Sequence, residues 1–176
     1  NPQKLIPTTV KIVDIAGLVK GASKGEGLGN KFLSNIRETD AVIHVLRCFD
    51  DPNIVHVDGK INPLSDKEVV EYELVLKDIE IIEKRLDRIK KTLRSGSNES
   101  KKEIEILEKI LYQLQKMNVS RNDFSDDQFK EFIKPLDLIS FKPVLYVCNV
   151  GENDVTTGNS YVCLLYTSDA ADEKYR

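Results

Sequence analysis

An α/β fold with a parallel sheet, interrupted by an inserted pair of helices, is the fold class that this sequence predicts. Apolar stretches of strand length occur at residues 10–14, 41–47 and 144–149. A glycine-rich loop at residues 17–29 and a short helix at residues 30–37 are predicted between the first two stretches. A highly charged segment with an apolar seven-residue repeat separates the second stretch from the third.

The three predicted strands differ in their patterns. Residues 10–14 (VKIVD) are β-branched and alternate weakly, so we expect a strand that ends at Asp14. Residues 41–47 (AVIHVLR) and 144–149 (VLYVCN) are almost continuously apolar. Such runs are typical of strands in a parallel sheet that are buried on both faces.

The charged segment predicts an antiparallel helical hairpin. Apolar residues follow a heptad seam over residues 72–93 and resume it over residues 104–114, after the polar break SGSN at residues 95–98. Two helices joined by so short a turn must run antiparallel. The charges between the seam positions are expected on the solvated face. Periodicity alone leaves open whether the hairpin is a packed structural arm or a docking arm for a partner.

Composition and charge exclude several classes of protein. Apolar residues make up 40% of the 176 residues and charged residues 31%, which excludes full disorder. No run of 18 apolar residues is present, so we expect no membrane partner. The net charge of −3 gives no overall attraction to nucleic acid, and no sequence-specific DNA partner is expected. Cys48, Cys148 and Cys163 are odd in number and widely spaced, as in a protein with reduced thiols.

Asp14 and Gly17 form a D-x-x-G motif at the end of the first predicted strand. Ligands of open parallel sheets bind beyond the carboxyl ends of the strands. An aspartate there can hold Mg²⁺ through the water shell of the ion. A glycine three residues later lets a backbone N–H approach a γ-phosphate without a Cβ clash. An ordinary polar turn after a strand has the same pattern, so the motif alone leaves both interpretations open.

Asn149 and Glu152 lie directly after the third predicted strand, separated by Val150 and Gly151. A side-chain amide and a carboxylate at the end of a strand can hydrogen-bond the edge of a purine. Asparagine and glycine are also common turn residues, so a simple turn is the alternative interpretation.

The run VDIAGLVKGASKGEGLGN at residues 13–30 closely resembles the YchF/Obg-like ATPase family, P-loop proteins of the Obg-related GTPase group. The likeness extends to about residue 162 through residues 35–39, 45–49 and 56–60, the helical insertion and residues 142–143. It implies an incomplete P-loop NTPase (GTPase-like) parallel sheet with an inserted antiparallel helical coiled-coil hairpin.

The resemblance implies roles for three residues of the first motif. Asp14 would hold Mg²⁺ through water, and Gly17 would lie at the γ-phosphate. Leu18 stands where many GTPases place a glutamine that orients the attacking water. Because a leucine can neither orient nor deprotonate water, hydrolysis would rely on other groups, an added cation or a partner.

The resemblance also implies that Asn149, Val150 and Glu152 bind the adenine base of ATP. Their N-x-x-E pattern replaces the guanine-reading N-K-x-D of related GTPases. Losing the aspartate that accepts from the N–H groups of guanine removes the main reason to prefer GTP. Gly151 departs from the aspartate or asparagine that the family pattern leads us to expect.

The resemblance divides the chain into segments. We expect a partial nucleotide-binding domain at residues 1–65, the coiled-coil insertion at residues 66–134 and more of the nucleotide-binding domain at residues 135–162. The family's P-loop, G-x-x-x-x-G-K-S/T, and its C-terminal TGS domain do not occur in the sequence, which predicts an internal fragment. Residues 163–173 resemble the translation of a transposase sequencing adapter, so residues 163–176 are predicted to be an artefact.

The function that the resemblance implies is a cytoplasmic, ribosome-associated, Mg²⁺-dependent ATPase that hydrolyses ATP to ADP and phosphate. The large ribosomal subunit is the partner it implies. We expect the 176-residue chain by itself neither to hydrolyse nor to bind nucleotide tightly, and to fold only marginally. Two alternatives stay open: a GTPase of the same group, and a non-enzymatic module whose hairpin binds the ribosome or another partner.

Overall fold

A computed structural model of the chain describes residues 8–15, 28–54, 59–92 and 98–173. These residues form α-helices and a small parallel sheet that is covered by helices on one face, which confirms the predicted α/β class. The helices are Leu28–Arg37 (α1), Pro63–Thr92 (α2), Asn98–Gln115 (α3), Asp126–Gln128 (α4) and Ser160–Glu173 (α5), and the strands are Val42–Arg47 (β1) and Val144–Asn149 (β2). A π-helical turn, Phe129–Ile133, follows α4, and 3₁₀ turns lie at Arg121–Asp123, Lys134–Leu136, Ile139–Phe141 and Glu152–Asp154.

The sheet pairs β1 with β2 in parallel, with Val42 opposite Val144 and Arg47 opposite Asn149. Both strands are confirmed close to their predicted bounds. The prediction that they are buried on both faces is wrong. One face packs against helices through residues such as Leu46, which is 2% exposed. The other face leaves Val45 61% exposed, because no layer of the described residues covers it.

Residues 10–14 do not form the predicted strand. The structure describes them as an unpaired segment in which Val10 and Ile12 are 84% and 80% exposed. A strand is held by a hydrogen-bond ladder to a neighbour, and among the described residues no strand lies beside this segment. The predicted loop at residues 17–29 lies largely outside the described residues. The short helix that follows it is confirmed as α1, which begins at Leu28.

The predicted helical hairpin is confirmed as α2 and α3, with 30 and 18 residues. The helices pack on each other, and five residues separate them in the sequence. A helix the length of α3 is about 27 Å long. Parallel packing would need a connection of that length, whereas five extended residues reach at most about 18 Å. The two helices therefore run antiparallel.

The hairpin carries the main hydrophobic core. The predicted seam positions Ile82 and Leu107 are both 0% exposed, whereas the first seam position, Tyr72, is 53% exposed. Aromatic and aliphatic residues from the segment after α3 complete the cluster. Its buried members are Val75, Ile82, Leu86, Ile89, Ile106, Leu107, Ile110, Leu114, Phe124, Ile133 and Leu138.

Glu73 and Asp78 of α2 contradict the prediction that the charges between the seam positions lie on the solvated face, and Lys67, which precedes the seam, is buried as well. Lys67 and Glu73 are each 7% exposed, and Asp78 is fully buried. Lys67 lies over the ring of Tyr146, 5.0 Å from the ring centroid, so β2 covers its side chain. Lys67 lies where α2 packs on the sheet, and Asp78 lies where α2 packs on the segment that precedes β2. A heptad pattern cannot reveal either contact.

The helix α5 contains the first part of the segment predicted to be a sequencing artefact. Its Leu165 is 7% exposed and packs with Leu46 and Cys48 against the end of β1. The assignment of residues 163–176 as an artefact stays a prediction, as do the predicted domain bounds. No helix among the described residues is long and apolar enough to span a membrane.

Candidate functional site

The carboxyl ends of β1 and β2 lie side by side, as parallel pairing requires. The ladder continues one residue past β1, where the Cys48 backbone N–H donates to the Asn149 carbonyl oxygen at 2.7 Å. This bond fixes the backbone of Asn149 while its side chain stays exposed. The predicted base-binding asparagine thus stands at the edge of the sheet where ligands of α/β folds bind.

The segment after β2 turns at once. Gly151 precedes the 3₁₀ turn Glu152–Asp154, and the Asp154 N–H donates to the Gly151 carbonyl at 2.9 Å. The Glu152 side chain is exposed, whereas Val150 is half-buried against the cluster of Leu46 and Cys48. Val150 therefore anchors the segment, and the two polar side chains on either side of it face solvent.

Asn159 links the segments at this edge by hydrogen bonds. It was not among the residues predicted from the sequence. Its side-chain amide donates to the Cys48 carbonyl at 2.8 Å and to Asp154 Oδ2 at 3.0 Å. Its Oδ1 accepts from the backbone N–H groups of Tyr161 and Val162, which caps the start of α5. An asparagine just before a helical segment was the signal that could have found it.

Arg47 organises the loop that follows β1. Its guanidinium donates to the carbonyls of Phe49, Asp51 and Ile54 at 3.1, 3.4 and 3.1 Å, and it lies 4.8 Å from the centroid of the Phe49 ring. The Tyr161 hydroxyl donates to Asp50 in the same loop, and this bond raises the pKa of the tyrosine. The loop beside the predicted base site is therefore held by side chains from β1 and α5.

The described cysteines carry free thiols. Burial, followed by the neighbouring Cys148 thiol, raises the pKa of the Cys48 thiol to about 12. Cys48 is therefore a protonated, unreactive core residue at neutral pH. No group of three or more His, Cys, Asp or Glu residues in the described part of the chain is placed to hold a metal ion.

The first predicted motif is described only in part. Asp14 is exposed on the unpaired segment before residue 16, and no hydrogen bond of the described residues joins it to the end of β2. Gly17 and Leu18 lie outside the described residues. The structure thus brings Asn149, Val150 and Glu152 together at one edge. Their predicted role in binding the base stays a prediction, as do the roles of Asp14, Gly17 and Leu18.

The parallel sheet, the crossover between its strands and the exposed polar strand ends define an α/β domain with a ligand-binding edge at the carboxyl ends of its strands. The structure of the Schizosaccharomyces pombe YchF GTPase matches it with a TM-score of 0.71 at 38% identity, over 86% of this chain and 42% of that one. A family profile described as 50S ribosome-binding GTPase matches residues 2–109. The chain therefore belongs to this family, and the predicted resemblance to the YchF/Obg-like ATPases is confirmed.

Curated relatives agree with this assignment. The chain is 49% identical over 154 residues to the ribosome-binding ATPase YchF of Escherichia coli O157:H7, and 47% identical over 165 residues to that of Bacillus subtilis. These matches cover 87% and 92% of this chain but 42% and 45% of the relatives. The chain thus spans less than half the length of the curated relatives it matches.

Proposed function

We propose that this chain is part of a ribosome-binding, Mg²⁺-dependent ATPase that cleaves the β–γ phosphate bond of ATP to give ADP and phosphate. The observation that carries the proposal is the pair Asn149 and Glu152, spaced N-x-x-E and both exposed at the carboxyl edge of the sheet. The names of the curated relatives, ribosome-binding ATPases, support the nucleotide.

The base would be held by the edge formed by β2 and the turn after it. The Asn149 amide offers a donor and an acceptor, and Glu152 offers acceptors for an exocyclic amino group. Val150 would position both, because its half-buried side chain fixes the segment between them. The aspartate that reads guanine in N-K-x-D proteins is absent from this pattern, which favours adenine.

The phosphate end would be held by the D-x-x-G motif. An exposed carboxylate such as that of Asp14 suits Mg²⁺, which prefers hard oxygen ligands and keeps several waters. The bound ion would neutralise charge on the phosphates. Gly17 would admit a backbone N–H to the γ-phosphate, and Leu18 would contribute no proton transfer.

The partner in this proposal is the ribosome, through its large subunit, which places the protein in the cytoplasm. Support comes from the family description, 50S ribosome-binding GTPase, and from the names of the relatives. The hairpin of α2 and α3 is the element that we assign to this contact, because its helices pack on each other and leave charged side chains such as Lys84 and Lys90 exposed.

Asn149→Ala is expected to weaken ATP binding about tenfold in a chain extended to the length of the relatives, the loss of roughly one ligand hydrogen bond. The measurement is an equilibrium titration with Mg-ATP. The matched control is Asn153→Ala, which alters an exposed asparagine in the adjoining 3₁₀ turn and should leave the affinity unchanged. Wild-type affinity in Asn149→Ala would contradict the base assignment.

Millimolar Mg-ATP should not raise the melting temperature of the 176-residue chain, because its sequence has no G-x-x-x-x-G-K-S/T motif to hold the phosphates.

A further inference from the structure

A lysine from the segment before β2 donates hydrogen bonds to backbone carbonyls at the carboxyl end of α1. Lys142 Nζ donates to the carbonyls of Arg37 and Thr39, each at 2.7 Å, and to Asp137 Oδ1 at 3.0 Å. The last carbonyls of a helix lack partners within the helix, and a cation there also opposes the helix dipole. Lys142 therefore holds the end of α1 against the chain that leads into β2.

A second attachment runs through the middle of α2. The Asp78 side chain is fully buried, and its two oxygens accept from the Ile139 N–H at 3.1 Å, the Ser140 N–H at 2.7 Å and the Ser140 hydroxyl at 2.6 Å. These bonds cross 61 and 62 residues of sequence. The Asp78 carboxylate thus adds hydrogen bonds to the apolar packing that already joins the hairpin to the segment just before β2.

The same carboxylate faces α1. Arg37 Nη2 lies 3.9 Å from Asp78 Oδ1, and the arginine side chain is 27% exposed. Leu33 and Ile36 of α1 pack beside this pair on Ile139 and Leu74. Beyond the pair, a cleft of about 330 Å³ between α1 and α2 is lined by Leu33, Ser34, Arg37, Lys77, Glu80, Ile81 and Lys84.

The charges that face Asp78 decide how freely α1 can move. Burial raises the pKa of Asp78, whereas the Ser140 and Ile139 donors and Arg37 oppose that rise. A buried carboxylate that loses a charged partner is left uncompensated, which is costly. Lys77 and Lys84 bond instead to Glu80, whose pKa they lower to about 2, so they are already paired. A shift of α1 that moves Arg37 therefore removes a counter-charge from the buried Asp78, which favours a matching shift of α2.

We propose that Arg37, Asp78 and Ser140 form a joint that couples the nucleotide state of the domain to the position of the helical hairpin. The inference rests on the proposed function, because α1 follows the D-x-x-G motif that would sense the γ-phosphate. Arg37 and Asp78 act as positioning residues: they touch no reacting atom and transmit a shift of α1 to α2. Because coupling between two binding sites is reciprocal, a partner that binds the hairpin would alter the affinity of the domain for nucleotide.

The test uses hydrogen exchange in a chain extended to the length of the relatives, with and without Mg-ATP. In the wild type, ATP should slow exchange in the part of α2 around Asp78 by at least about threefold. Arg37→Gln should bind ATP within about twofold of the wild type yet lose this response, and Arg37→Lys, which keeps the positive charge, should recover it. The matched control is Lys84→Gln, which removes a cation from the same cleft and should respond as the wild type does.

Two results would contradict the proposal that Arg37, Asp78 and Ser140 couple α1 to the hairpin. The first is ATP binding to the wild type without any change in the exchange of α2. The second is an unchanged response in Arg37→Gln. Failure of the wild type to bind ATP in the accompanying titration overturns the proposed function itself, and the joint with it. The titration and the exchange measurement therefore separate the two failures.

Discussion

Leu107→Ala is expected to lower the free energy of unfolding by about 3 kcal/mol, within the range of about 2–5 kcal/mol typical of buried leucines. Leu107 is 0% exposed at the centre of the interface between α2 and α3. The substitution removes apolar surface from the core and leaves a cavity that two packed helices close only in part. Urea denaturation followed by circular dichroism measures the change.

The control for this prediction lies on the same helix. Tyr112 is 63% exposed, so Tyr112→Ala should change the free energy of unfolding by no more than about 0.5 kcal/mol. Equal losses in the two variants would show that α3 does not bury the face that carries Leu107. The packing of the hairpin described above would then be wrong.

Asp78→Ala is expected to lower the free energy of unfolding by about 3 kcal/mol, because it leaves buried donors without an acceptor and Arg37 without its counter-charge. The donors are the backbone N–H groups of Ile139 and Ser140. Asp78→Asn keeps one carbonyl acceptor and should lose less than half as much. Urea denaturation at pH 7 measures the free energy of unfolding of both variants. The control is Glu108→Gln, which alters the exposed ion pair of Lys90 and Glu108, where each side chain is 53% exposed.

The pH dependence of the Asp78 variants has a definite sign. The pKa of Asp78 in the folded chain is raised from 3.8, chiefly by burial. The part of its contribution to stability that depends on protonation is therefore fully present below pH 3.8 and is lost as the pH rises through the folded pKa, whereas the hydrogen bonds from Ile139 and Ser140 do not require the proton. Asp78→Asn lacks this change, so the advantage of the wild type over the variant should be larger in acid than at neutral pH. An advantage that grows as the pH rises would contradict the raised pKa.

The hairpin could be predicted from the sequence because its signal is local. Apolar residues at heptad spacing specify a helical face whatever lies elsewhere in the chain, and the polar break specifies the turn. The strands β1 and β2 were found for the same reason. Their exposed face was not, because continuous apolar character does not tell which layers cover a strand.

The joint at Asp78 could not be predicted, because its partners are distant in the sequence. In α2 an aspartate between seam positions is indistinguishable from a solvated charge, and Ser140 carries no distinguishing pattern. The failed strand at residues 10–14 has a related cause. Alternation favours a strand but cannot supply the neighbour that would hold it.

The candidate site was predicted in part. Asn149, Val150 and Glu152 lie where a strand-end motif should lie, since the end of a strand and a turn signal are both readable locally. Asn159 and Arg47, which hold the surrounding loops, act through backbone atoms of residues that only the fold brings near. The base-binding role of Asn149, Val150 and Glu152 stays a prediction, as do the roles of Asp14, Gly17 and Leu18.

Competition between ATP and GTP tests the central claim most directly, since it asks which base the edge formed by Asn149, Val150 and Glu152 accepts. The experiment displaces a fluorescent ATP analogue from a chain extended to the length of the relatives, with Mg²⁺ present. ATP should displace the analogue at a concentration at least about tenfold lower than GTP does, and Asn149→Ala should reduce that preference. Displacement by GTP at an equal or lower concentration would contradict the account and favour the alternative of a GTPase of the same group.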